Sequence, residues 1–163
     1  MNNNLATKLG KALLKSNYYL VSAESCTGGW IAEAVTAIAG SSAWFERGFV
    51  TYSNASKQEL LNVKAETLMK YGAVSEETAL EMVIGALKNS HAQVGVAITG
   101  IAGPSGGSPD KPVGTVWIAY AFPKQVYAKC YYFQGNRHEI REQTVISALE
   151  TLLLELDLSG LYS

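Results

Sequence analysis

Ser25, Tyr52 and Lys57 each fall just beyond an apolar run of the chain, and together they have the groups for acyl transfer. Ser25 stands in "ESCTGG", after "YLVS" and before "IAEAVTAIA". On a tight strand-to-helix turn, its hydroxyl would lie beside free helix-start amides and the positive end of the helix dipole. Both stabilise a developing oxyanion. The turn works like a nucleophile elbow in its mechanics, although "AESCT" does not match GxSxG. An ordinary role fits equally well: Ser25 or Thr27 caps the helix while Gly28 and Gly29 permit close packing. Spacing leaves both readings open, and Thr27, Gly28 and Gly29 are candidate binding residues of the turn.

A serine nucleophile needs a base. The chain has two histidines, His91 and His138, and both lie outside the clustered loops. Lys57 is the better candidate, because burial shifts a lysine toward its neutral form, and Tyr52 could relay or orient the proton. A solvated surface residue is the default for any single lysine, so Lys57 gains meaning only beside Ser25. Cys26 is the rival nucleophile. With no histidine nearby, it reads as a small buried hydrophobe, as does Cys130 within its strand.

The stretch "TGIAGPSGGSPDKPVGT" lacks GxxxxGK[ST], so nucleoside-triphosphate hydrolysis is not supported. Backbone amides around residues 103–107, notably Gly103 and Gly106, with the hydroxyls of Thr99 and Ser105, suit a phosphate monoester. Arg137 could pair with the same phosphate. The alternatives are a merely flexible loop and an exposed arginine at a helix start.

The elements that must position these residues follow from periodicity. Leu5, Leu9, Ala12 and Leu13 predict a first helix ended by Asn17, and residues 18–23 a buried strand. Trp30, Ile31, Ala34, Val35 and Ile38 predict a helix stopped at Gly40. Residues 40–47 read as a connection and 48–53 as the next strand. Ser53 or Asn54 caps a short helix carrying Lys57, Leu60 and Leu61, and further helices cover 65–71 and 76–89. Residues 93–99 form a strand, 113–121 and 126–133 a hairpin, and 136 onward a long closing helix. Helices between early strands and a late hairpin predict an α/β fold, a three-layer α/β/α sandwich with a mixed, partly parallel sheet. Ligands gather at the carboxyl ends of such strands, where "ESCTGG", "YSNASK" and "TGIAGPSGG" all fall.

Composition sets the outer limits. The 163 residues suit a single domain over 1–163; 48% are apolar and 17% charged, which predicts a sizeable core. Thirteen basic and fourteen acidic residues give no broad attraction for nucleic acid or a membrane surface. No apolar run approaches the ~20 residues of a membrane span. Two cysteines make no disulfide framework, which points to the cytoplasm, and neither they nor the histidines have metal-ligand spacing.

Taken together, "AESCTGG", "GSSAWFERGFVTYSNASK", "GAVSEET", "ITGIAGPSGG", "KPVGTVWIA" and "GNRHEIR" resemble the C-terminal domain family of competence-damage-inducible CinA proteins, over about residues 5–156. Standalone members of that family include nicotinamide-nucleotide amidohydrolases. The resemblance implies hydrolysis of the carboxamide of nicotinamide mononucleotide to nicotinate mononucleotide and ammonia, in pyridine-nucleotide recycling. It also implies an α/β/α sandwich, homo-oligomers, and no metal or cofactor. Ser25 takes the nucleophile position, Lys57 and Tyr52 the activating positions, and Thr99 and Arg137 positions lining the substrate pocket. An amidohydrolase for another small phosphorylated amide, or a non-catalytic pyridine-nucleotide-binding or regulatory domain, are the alternatives.

Overall fold

The computed structural model describes residues 3–160. Its elements are α1 (Asn3–Ser16), β1 (Leu20–Glu24), α2 (Trp30–Thr36), β2 (Phe45–Val50), α3 (Asn54–Leu61), α4 (Ala65–Tyr71), α5 (Glu76–Lys88), β3 (Val94–Gly100), β4 (Thr115–Phe122), β5 (Gln125–Tyr132) and α6 (Arg137–Gly160). A short 3-10 turn, Ser41–Ala43, leads into β2. The strands form one sheet in the order β2-β1-β3-β4-β5. β1 runs parallel to β2 and β3, whereas β4 is antiparallel to both β3 and β5. The sheet is therefore mixed, as expected, and the carboxyl ends of β1, β2, β3 and β5 share one edge.

Side chains alternate across a strand, and this divides the core in two. Val94, Val96 and Ile98 of β3 pack with Leu9 and Leu13 of α1, Ile31 and Val35 of α2, and Ile140, Val145 and Leu149 of α6. Ala23, Ala97, Ala119 and Ala121 face the other way, against Leu61, Leu68, Met82 and Val83 of α3, α4 and α5. These are the two helical layers of an α/β/α sandwich. The small residues of the second face let α5 lie close to the sheet: a Cβ on Gly95 would come within 3.0 Å of Val83 Cγ2. In α5 itself, a Cβ on Gly85 would meet the carbonyl of Leu61. That bare backbone is what lets α3 settle against α5.

Two elements differ from the sequence expectation by more than two residues at a boundary. β2 occupies Phe45–Val50 rather than 48–53, because it is a half-exposed edge strand whose first residues include Glu46 and Arg47. α2 ends at Thr36, and Gly40, at φ 83°, instead opens the 3-10 turn.

Candidate active site

β1 delivers Ser25 to the shared edge. The Ser25 N–H continues the ladder by donating to the Ile98 carbonyl at 3.0 Å. The chain then turns sharply: Gly28 N–H donates to the Ser25 carbonyl, and Trp30 N–H to that of Thr27. Gly28 and Gly29 have φ of 61° and 103°, the left-handed region that glycine enters without strain.

Neither Ser25 nor Thr27 caps α2. Its N-cap is Gly29, with no side-chain cap of its own. The cap is supplied by Glu24, fully buried, whose carboxylate accepts the N–H groups of Ile31 at 2.8 Å and Ala32 at 3.1 Å. A carboxylate suits the positive end of a helix, and this one also ties the last residue of β1 to the start of α2. The helix-start amides expected to receive an oxyanion are thus already occupied. Among the described residues, neither the Cys26 nor the Thr27 N–H donates to a backbone carbonyl, and that of Cys26 reaches only its own thiol.

α3 delivers Lys57. The helix starts at a reciprocal capping box: Ser53 Oγ accepts the Ser56 N–H, and Ser56 Oγ accepts the Ser53 N–H. Lys57 is 1% exposed, and its Nζ lies 3.1 Å from Ser25 Oγ and 2.9 Å from the Thr51 carbonyl oxygen. No carboxylate pairs with it among the described residues. Burial holds its ammonium below the ordinary lysine value, only partly offset by the nearby Cys26. The solvated-lysine reading is therefore set aside by geometry. Cys26, also buried, has its thiol pushed up to about 12 by desolvation, which disfavours the thiolate a nucleophile needs.

Ser25, Cys26, Tyr52, Lys57, Thr99, Gly103, Ser105, Gly106 and Arg137 line one cleft of about 270 Å3. Asn54, Ala73 and Val74, which the sequence did not offer as site residues, complete part of its wall. Thr27, Gly28 and Gly29 do not line it: Thr27 is fully buried, and the glycines shape the turn behind Ser25. Tyr52 stands at the rim, 61% exposed. Its hydroxyl accepts from Arg137 Nη2 at 3.0 Å and has no hydrogen bond to Ser25 or Lys57. Arg137 Nη1 donates to the Gly103 carbonyl at 2.8 Å, so one guanidinium links the strand-end tyrosine to the glycine-rich loop. The Thr99 hydroxyl donates to the Ala73 carbonyl and can still accept from a ligand.

Both histidines are exposed and outside this cleft; His138 instead packs its ring 5.2 Å from that of Trp30. A second cleft, about 310 Å3 between α1, α2 and α6, is lined by no serine, threonine, cysteine or tyrosine. Among the described residues, no three His, Cys, Asp or Glu side chains gather as a metal ion would require. The arrangement that remains is a serine hydroxyl against a desolvated amine at the floor of a polar cleft.

Comparison with known proteins identifies the family. The CinA C-terminal domain model matches residues 2–156. A nicotinamide-nucleotide amidohydrolase PncC of Shigella flexneri is 52% identical over 151 residues, 91% of this chain and 90% of that protein. The namesake from Pseudomonas putida is 52% identical over 149 residues, 91% of this chain and 93% of the relative. The crystal structure of the competence/damage inducible protein CihA from Agrobacterium tumefaciens superposes with a TM-score of 0.91 at 48% identity, covering 95% of this chain and 94% of that one. With the family model, the sequence and the fold in agreement, the chain belongs to the CinA C-terminal domain family.

Proposed function

We propose that this protein is a nicotinamide-nucleotide amidohydrolase that converts nicotinamide mononucleotide and water to nicotinate mononucleotide and ammonia, a step of pyridine-nucleotide recycling. The observation that carries the reading is the buried Lys57 amine 3.1 Å from Ser25 Oγ at the cleft floor. Relatives 52% identical over nine-tenths of the chain, known as nicotinamide-nucleotide amidohydrolases, support the substrate.

In this scheme neutral Lys57 takes the hydroxyl proton as Ser25 Oγ adds to the carboxamide carbon. The Cys26 amide beside Ser25 receives the oxyanion. Lys57 returns the proton to the departing nitrogen, ammonia leaves, and an acyl-enzyme remains. Water, deprotonated by the same amine, then releases the carboxylate and restores the serine. Arg137 and the amides of the glycine-rich loop hold the phosphate, and Tyr52 steadies Arg137 as well as closing the rim. Thr99 offers its hydroxyl oxygen to the substrate. No metal or cofactor takes part in these steps.

Incubation with nicotinamide mononucleotide should give ammonia and a product about one dalton heavier, the mass of amide-to-acid conversion. Ser25→Ala and Lys57→Ala should abolish both while remaining folded. Binding that raises the melting temperature without any conversion by folded wild-type protein would sink the proposal and favour a non-catalytic pocket.

A further inference from the structure

The turn after Ser25 is held from outside by a residue of α6. Arg141 reaches across the fold to donate from Nε to the Cys26 carbonyl and from Nη2 to the Thr27 carbonyl, each at 3.0 Å. The two bonds differ in what they secure. The Thr27 carbonyl also accepts from Trp30 N–H, whereas the Cys26 carbonyl has no other partner among the described residues. The guanidinium is itself steadied over the Trp30 ring, with Cζ 5.2 Å from its centroid.

A trans peptide unit points its N–H opposite to its C=O. Drawing the Cys26 carbonyl to Arg141 therefore turns the Thr27 N–H away from the guanidinium. The Gly28-to-Ser25 bond likewise aims the Cys26 N–H away from Gly28. With Glu24 occupying Ile31 and Ala32, the Cys26 amide, next along the chain from Ser25, is the turn amide placed to meet an oxyanion formed on Ser25. Cys26 lines the same cleft as Ser25.

We infer that Arg141 is a positioning residue for catalysis: by holding the Cys26 and Thr27 carbonyls it fixes the turn from which Ser25 and the Cys26 amide meet the tetrahedral intermediate. The inference rests on the hydrolytic reading of Ser25. Arg141 does not line the cleft, so it acts through the turn rather than on substrate.

Two measurements test it in the full-length protein. Turnover of nicotinamide mononucleotide gives kcat and KM. Labelling by a fluorophosphonate ester reads the serine independently of that substrate: Ser25 Oγ forms a bond to phosphorus, fluoride leaves, and Lys57 takes the proton. Arg141→Met should lower kcat by about 100-fold and slow labelling comparably, with KM within about twofold. Arg141→Lys, which can hold one carbonyl, should recover about a tenth to a half of the lost rate. If Arg141→Met does not fold, Arg141→Lys alone decides, by a loss of at least about threefold in kcat at constant KM. Unchanged kcat and labelling in the folded variants would overturn the inference, as would a raised KM with unchanged labelling. Wild-type protein that labels at Ser25 but leaves the mononucleotide intact would refute the substrate alone, and the labelling rates would still decide the role of Arg141. Wild-type protein that does neither would overturn both.

Discussion

Replacing Lys57 by methionine separates what the amine does for stability from what it does for chemistry. Methionine keeps an unbranched stem, one atom shorter, and removes the titratable group. Two effects oppose each other. The buried Thr51 carbonyl and Ser25 hydroxyl lose their partner, and an orphaned buried polar group costs about 1–3 kcal/mol. Against this, every tenfold by which burial weakens proton binding to Lys57 costs the wild type about 1.4 kcal/mol while both folded and unfolded chains are protonated. The folded value lies below the unfolded one, so in the window between them the unfolded chain carries a proton that the folded chain lacks. Stability of the wild type then rises with pH, by up to about 1.4 kcal/mol per pH unit, until the ordinary lysine value is passed. The variant has no such slope. Urea unfolding of both proteins from about pH 6 to about pH 10 should show a stability difference that is flat at the acid end and then climbs in favour of the wild type. Wild-type kcat/KM should rise through the same folded value, because the base must be neutral, while Lys57→Met should lose at least about a thousandfold in kcat. A stability difference that stays constant across the whole range would show that Lys57 binds its proton normally, and would refute its role as a base near neutral pH.

Other expectations follow from the same geometry. Glu24→Gln leaves one of the Ile31 and Ala32 amides facing an NH2 group, and should lower stability by about 2 kcal/mol, read as a melting-temperature fall of several degrees; no fall would mean that the carboxylate does not hold the turn. Arg137→Lys cannot bridge Gly103 and Tyr52 with a planar fork, and steady-state kinetics should show KM for nicotinamide mononucleotide rising about tenfold, with kcat changed less.

The layout was legible because strands and their ends leave local marks. The apolar runs of β1 and β3 and the glycines after them located Ser25 and the long loop. Lys57 was legible as a residue just past a strand, though only tertiary packing shows it buried. What escaped the sequence was direction and distance. Tyr52 stands five positions before Lys57, yet its hydroxyl turns outward to Arg137, since order along the chain does not say where a side chain points. Glu24 was visible in the quoted motif, but its role depends on two amides seven and eight residues later. Arg141 was harder still, because it binds backbone carbonyls more than a hundred residues away, and a carbonyl carries no side-chain signature. The early part of β2 was missed because an edge strand exposes polar residues that blur the apolar run.

Ser25 comes from the strand that feeds α2, whereas Lys57 comes from α3 in the layer across the sheet. Under the proposed mechanism the reactive pair is therefore a seam between the sheet edge and the α3 layer. A chain with α3 detached from the sheet would hold the serine without its base. On that reading completion of the fold is itself the activation step, and the nucleophile is armed only once the cleft has formed around it.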